Sequence, residues 1–464
     1  MGSASGCAAC AGTARAVSSP ATSSVRIDTV LWARRRRGYL RRSAMRVLLA
    51  ALLLLVFSAT PANAATVDTV TPTSVYGCLR TNGAGLYDAI AKKTFVTWSG
   101  TKHDIYVKAF DHTANTWSAA VKVATLNLTH SNAYHDYPVL TQLADGTLVV
   151  FRATHGKSMH LYQAPTAHSI TGTWSARTIS SDKTTYPEPI VTGNTIHVFY
   201  SQNTDLSHPY RIYRFIKSTD SGKTWSAPKT IIDSGRTSDK YSEVYAFGVT
   251  EKAGKVHLTW SMHGGPKGHN GGGKNIYAAY FDTATATMRT VGGASLGAGV
   301  DAAELAQTRV VTTNPTDLPS GKALPEENPV TVQLPDGSVV LGYGVHTKTS
   351  AKIVLAHFSN GAWTSTTIDS TTSLFKDIAV VGNGVEFVYA TADKKRLVSK
   401  LWTPGGSATT KFDLTVPYAS GADTTFYADF VENRNGISVI ANTIHQETRK
   451  DVHTAKWPIF AIKD

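Results

Sequence analysis

From about residue 65 onward, apolar side chains recur with the period of a pleated strand, and helical spacing is nearly absent. Val139-Leu140-Thr141-Gln142-Leu143, a turn at Ala144-Asp145-Gly146, then Leu148-Val149-Val150-Phe151 reads as a β-hairpin. β-Branched and aromatic side chains fit a half-buried pleat, and Asp-Gly supplies the backbone freedom of a tight turn. Similar hairpins are predicted over Val330–Val340 around Asp336-Gly337, Ile378–Tyr389 around Asn383-Gly384 and Phe430–Ile440 around Asn435-Gly436. One short helix is expected, near Asp301–Gln307.

The strands fall into a loose repeat. Asn115-Thr116-Trp117-Ser118, Gly172-Thr173-Trp174-Ser175, Lys223-Thr224-Trp225-Ser226 and Gly361-Ala362-Trp363-Thr364 each join a turn to a tryptophan. The third completes Ser218-Thr219-Asp220-Ser221-Gly222-Lys223-Thr224-Trp225, an Asp-box in which Asp caps the turn and Trp packs on the sheet. These marks divide the chain into seven units, roughly 75–127, 128–180, 183–234, 239–292, 325–369, 371–418 and 420–464, with an irregular segment at 293–324. Repeats of this length mean stacked or radial modules, and an all-β, seven-bladed β-propeller is the fold expected. A pair of β-sandwiches would leave the tryptophan turns unexplained.

The first 64 residues stand apart. Arginines cluster at Arg34–Arg37 and Arg41-Arg42; Met45-Arg46 then precedes the apolar run Val47–Phe57 and Ala62-Asn63-Ala64. A basic start, an apolar stretch and a small-x-small site predict a leader over 1–64 with its signal-peptide core at 45–64, cleaved after Ala64, and an exported mature domain over 65–464. The apolar run is short for a membrane span. The chain has 46 basic and 33 acidic residues; removing 1–64 takes away nine arginines and one aspartate, leaving 37 against 32, about +5. That mild balance, with no basic stripe, argues against nucleic acid and is compatible with an acidic substrate. Of three cysteines only Cys78 lies beyond residue 64, which excludes an intramolecular disulfide and a cysteine zinc site in the mature chain. No cofactor is required, no ligand spacing argues for a metal beyond a structural divalent cation, and a monomer is expected.

Propellers bind ligands where strand ends and their loops converge. His135, in Tyr134-His135-Asp136-Tyr137-Pro138, and His155 lie at the two ends of the first hairpin and so become neighbours. Tyr186-Pro187-Glu188-Pro189 opens the third unit, and Tyr241 and Tyr245 open the fourth. His263 ends the next strand, and Asn275-Ile276-Tyr277 begins the one after a Gly- and His-rich loop. Each of these residues alone has an ordinary structural use; their equivalent positions in successive units favour one pocket.

The run from His135 to Tyr277 resembles the BNR-repeat propeller family that contains ulvan lyases and rhamnose–glucuronate lyases acting on plant gums. The matching parts are His135, Pro138, Asp145, Gly146 and His155, Thr185-Tyr186-Pro187, the Asp-box, and His263 with Asn275 and Tyr277. The resemblance implies a seven-bladed propeller that cleaves an acidic polysaccharide, with His135, His155 and Tyr186 in proton transfer and His263 against the uronate carboxylate. The family pattern has an arginine after the strand that follows the tyrosine; this chain has Ser201-Gln202 there, with Arg211 and Arg214 downstream.

The chemistry accounts for these residue types. Elimination from a 4-linked uronate removes the C5 proton, made acidic when the adjoining carboxylate is neutralised. A base takes that proton and an acid protonates the leaving oxygen. Histidine near pKa ~6.5 and tyrosine near ~10 make a histidine base and Tyr186 acid the smaller perturbation, with His263 or Arg211 on the carboxylate and Tyr241, Tyr245 and Asn275 as further substrate contacts. Which histidine acts is open. A sialidase would need an arginine triad and an Arg-Ile-Pro motif, which the sequence lacks. A glycoside hydrolase would use two carboxyls, for which Asp136, Glu188 and Glu243 are candidates. A non-catalytic glycan-binding propeller is the third alternative.

Overall fold

The computed structural model describes residues 64–75, 83–129, 137–203, 210–233, 243–263, 274–313, 326–346, 351–370, 373–391, 393, 395–417, 424–445 and 457–464. His135, Asp136, Tyr241 and the leader through residue 63 lie outside them. Residues 63–464 gather into one unit. Within its described part the chain is almost wholly antiparallel strand; the helical pieces are one 3₁₀ turn at Thr101–His103 and one turn of α-helix at Leu305–Thr308, overlapping the segment expected to be helical.

Among the described residues, six hydrogen-bonded sheets follow one another along the chain. The first comprises Gly85–Asp88, Lys93–Ser99 and Ile105–Asp111, whose outer edge pairs with Thr116–Trp117 and Val121–Ala124. The second has seven strands, Val139–Gln142, Leu148–Ala153, Lys157–Gln163, Ser175–Thr192, Thr195–Gln202, Ile212–Ser218 and Lys229–Ile232. The third comprises Glu243–Lys252, Lys255–His263, Lys274–Asp282 and Thr287–Thr290, with Arg309–Val311 added to Lys274–Asp282. The fourth runs Glu326–Gln333, Val339–His346, Ala351–Ser359 and Ala362–Asp369, and the fifth Ser373–Val381, Gly384–Thr391, Arg396–Trp402 and Thr409–Thr415. Thr424–Phe430, Ile437–His445 and Trp457–Lys463 form the last with Thr66–Ser74, which pairs with Trp457–Lys463.

Two features depart from the sequence reading. The second and third predicted units are one sheet, because Ser175–Thr192 pairs with Lys157–Gln163 through its first half and with Thr195–Gln202 through its second. The last unit, expected to be complete within 420–464, takes its fourth strand from Thr66–Ser74 at the other end of the chain. A smaller difference concerns Asn383-Gly384: the positive φ of that turn belongs to Gly382, and Gly384 already begins a strand, close against the Trp402 carbonyl.

The sheets close into a propeller-like ring. Leu140 N–H donates to the Gly83 carbonyl (2.8 Å), Thr259 Oγ1 to the Pro329 carbonyl (2.6 Å) and Phe430 N–H to Asp377 (2.8 Å). Ala84 N–H donates to Asp429 (2.9 Å), which joins the last sheet to the first. Between the sheets lies the apolar core. Phe199, Phe215, Trp260 and Phe281 fill one such interface and Leu86, Phe95, Leu140 and Val150 another. At about 1.5–3 kcal/mol for each large buried apolar side chain, these interfaces are the main stabilising term. A cavity of 1160 Å³ is lined by Gly83, Leu140, Ile190, Val249, Val332, Ile378 and Val431, one from each predicted unit. The Ser218–Trp225 turn is held by Asp220, which accepts from the Thr224 hydroxyl (2.6 Å) and from Lys223 and Thr224 N–H (3.0 and 2.9 Å); these bonds hold its carboxyl well below the usual range.

Candidate functional site

The cavity is lined by none of the predicted site residues. It takes Pro189–Val191 and Val249–Glu251, whereas Tyr186 and Tyr245 lie several residues earlier on the same two strands. The candidates therefore lie away from the cavity lining along those strands.

Tyr186 occupies the break in register between Thr185 and Glu188, where Ser175–Thr192 pairs with Thr195–Gln202. Its φ is +56° and its side chain is buried. A left-handed backbone at a bulky residue costs roughly 1–3 kcal/mol and persists only where the surroundings enforce it, which makes it a marker of functional sites. The surroundings here are specific. Tyr137 stacks on Tyr186 at 6.1 Å and 22°, and His155 lies at 6.4 Å, ring centroid to centroid. His155 is set in a turn by Gly156, whose φ is +72° and whose N–H donates to the Thr184 carbonyl (3.0 Å). Its Nδ1 is 3.1 Å from Thr185 Oγ1. Beyond the break, the Tyr213 hydroxyl donates to Glu188 (2.5 Å).

Arg211 continues the cluster. Its guanidinium is 5.5 Å from the Tyr186 ring centroid and 4.4 Å from that of Tyr245, and only 6 % of the residue is exposed. Burial pulls the Arg211 pKa down, but the Tyr245 and Tyr186 hydroxyls and the Glu243 carboxylate outweigh it and hold the pKa above its ordinary value. Among the described residues, its Nε and Nη1 have no hydrogen-bond acceptor. Tyr245 stacks on His263 at 4.1 Å and 25°, and His263 Nε2 is 2.6 Å from Ser261 Oγ. Glu243 is buried and is the register partner of His263.

The structure thus brings His155, Tyr186, Arg211, Tyr245 and His263 into one continuous run of contacts. Asn275 is engaged elsewhere: its Nδ2 donates to the Tyr277 hydroxyl (3.0 Å) and its Oδ1 accepts from Thr313 N–H (2.9 Å). The two arginines near Ser201-Gln202 separate by role. Arg214 binds Asp182 (2.7 Å) and Gln202 (2.7 Å), while Arg211 is the cation of the tyrosine cluster. His135 and Tyr241 are outside the described residues. Tyr137 and Ser261 were not singled out by the sequence, and Thr185 entered only as part of the Thr185-Tyr186-Pro187 segment; the place of Tyr137 beside His135 was a further signal. Chemically, a buried cation between two phenols, flanked by two imidazoles, suits an anionic ligand and proton transfer. Among the described residues, no helix is long and apolar enough to cross a membrane, and no group of three or more His, Cys, Asp or Glu is placed to hold a metal ion.

Comparison with known proteins agrees with the fold. A PL25 ulvan lyase superposes with a TM-score of 0.69 at 13 % identity, over 85 % of this chain and 95 % of that one. The same kind of enzyme bound to -[GlcA(1-4)Rha3S]- gives 0.67 at 13 % identity, over 85 % and 96 % of the two chains. The polysaccharide lyase Uly1 gives 0.57 at 10 %, over 86 % and 99 %. No curated protein matches the sequence. The profile described as "BNR repeat-containing family member" matches residues 93–371, more than half of the chain and all of the site just described, and the chain belongs to that family.

Proposed function

We propose that this protein is an exported polysaccharide lyase that cleaves a uronate-containing glycan, of the rhamnose–glucuronate kind, by β-elimination. The observation that carries the reading is the buried Arg211 guanidinium held against Tyr186 and Tyr245, with His155 and His263 at the two ends. A cation in a low-dielectric site stabilises the charge that develops on a uronate when its C5 proton leaves. Tyr186 is the acid that protonates the leaving oxygen, Arg211 and His263 face the carboxylate, and a histidine takes the proton. The likeness to ulvan lyases, one of them bound to a glucuronate–rhamnose unit, supports the substrate class. No cofactor enters the reaction.

The same reading takes the ring as a seven-bladed propeller in which Ser175–Thr192 serves as the outer strand of one blade and the inner strand of the next, which is supported by the seven-fold lining of the cavity. It takes the protein as a monomer released by cleavage after Ala64. Incubation with ulvan, gum arabic and glycosaminoglycans tests the activity: elimination creates a conjugated unsaturated uronate with a new ultraviolet band. New reducing ends without that band would establish hydrolysis. Binding without any cleavage would establish a glycan-binding module. Either result overturns the lyase reading.

A further inference from the structure

The two histidines of the cluster have the same kind of partner. His155 Nδ1 lies 3.1 Å from Thr185 Oγ1, and His263 Nε2 lies 2.6 Å from Ser261 Oγ. Thr185 and Ser261 are both fully buried, at 0 % exposure. A hydroxyl has one proton to donate, and a buried donor without an acceptor forfeits a hydrogen bond that water would otherwise supply. Among the described residues neither side-chain hydroxyl has another hydrogen-bond partner, so each proton points at the imidazole nitrogen. That nitrogen is then the lone-pair acceptor, and the neutral ring carries its own proton on the other nitrogen. A carboxylate partner would enforce the opposite arrangement, with the bonded nitrogen protonated.

We propose that Thr185 and Ser261 are positioning residues that fix the tautomers of the site, His155 as the Nε2–H form and His263 as the Nδ1–H form. Each neutral ring then carries its proton on its second nitrogen, and the bonded nitrogen has no lone pair available while its hydroxyl partner is in place. Protonating either ring fully would strand the buried hydroxyl opposite it. The catalytic consequence rests on the lyase reading: as N–H donors both rings face the uronate carboxylate or the leaving oxygen, and the C5 proton is taken by a histidine other than these two.

Nitrogen-15 labelling of histidine in the full chain, with long-range proton–nitrogen correlation spectra at a pH where the rings are neutral, reads the tautomer of each ring directly. His155→Gln and His263→Gln assign the signals by their loss. The expected result is unprotonated Nδ1 with protonated Nε2 for His155, and the reverse for His263. Thr185→Val removes the hydroxyl at nearly constant volume and should release His155 into a mixture of tautomers, while Thr185→Ser keeps the native pattern; Ser261→Ala and Ser261→Thr should act likewise on His263. A protonated Nδ1 on His155 in the native protein, or a tautomer unmoved by Thr185→Val, overturns the assignment. On a cleaved substrate, Thr185→Val should lower kcat at least tenfold with KM nearly unchanged, and Thr185→Ser should restore it; equal kcat in Thr185→Val would overturn the catalytic role. A protein inactive on every uronate polymer would remove the lyase reading and leave the tautomer measurement standing.

Discussion

Acidification should destabilise this fold through two histidines remote from the proposed chemistry. His197 packs among Phe199, Phe215 and Phe281 at centroid distances of 5.9–6.2 Å, and His257 lies 5.7 Å from Tyr280. They are 3 % and 1 % exposed, and burial pulls each pKa down to about 4, with Lys217 adding to the effect at His197 and Lys255 at His257. The folded state therefore holds both rings neutral, while the unfolded chain takes up a proton near pH ~6.5. Between those values the unfolded state binds more protons, so stability is complete above about pH 6.5 and falls as the pH drops toward about 4. At about 1.4 kcal/mol per unit, lowering the pH from about 7 to about 5 removes about 2 kcal/mol for each ring. Asp377 opposes this. Burial, with Asp429 nearby, raises its pKa, so its contribution is present at low pH and lost as the pH rises. The decisive quantity is thus a difference between variants. Guanidinium unfolding followed by tryptophan fluorescence at both pH values should show His197→Phe and His257→Gln each losing about 2 kcal/mol less than the native protein over that interval. Equal losses in all three proteins would refute the reasoning.

Three further outcomes are expected. Tyr186→Phe should abolish turnover while sparing oligosaccharide binding, because it removes one hydroxyl proton and little surface; full activity in that variant, with rates and binding measured together, would rule out its acid role. Arg211→Met should raise KM and lower kcat by at least tenfold each, since a neutral side chain of similar reach keeps the packing on Tyr245 but not the charge; the pair of kinetic constants on a cleaved polymer decides it. Edman sequencing of the protein recovered from culture medium should begin near Ala65, and a retained Met1 would refute export by the predicted leader.

The sequence by itself determined what depends on neighbouring residues. Alternating apolar positions and Asp-Gly or Asn-Gly turns specify strands and hairpins, because strand period and turn φ are local properties. The Ser218–Trp225 turn closes on its own side chains, as its residues indicate. The same locality made His155 and His263 visible, since each sits beside a strand end. What only the tertiary structure decided is pairing across long separations. Nothing within Thr66–Ser74 says that it completes a sheet with Trp457–Lys463, and nothing within Ser175–Thr192 says that one strand serves two partners. Strand edges are chemically alike, and the choice among them is made by ring closure and inter-sheet packing. The site follows the same division. The sequence favoured Arg211 over Arg214 as a partner of the carboxylate, but only packing puts the first between two tyrosines and the second on Asp182. The left-handed Tyr186 and the Thr185 hydroxyl on His155 likewise exist only because a register break and the pairing of distant strands place those groups within reach of one another, whereas Ser261 meets His263 along a single strand.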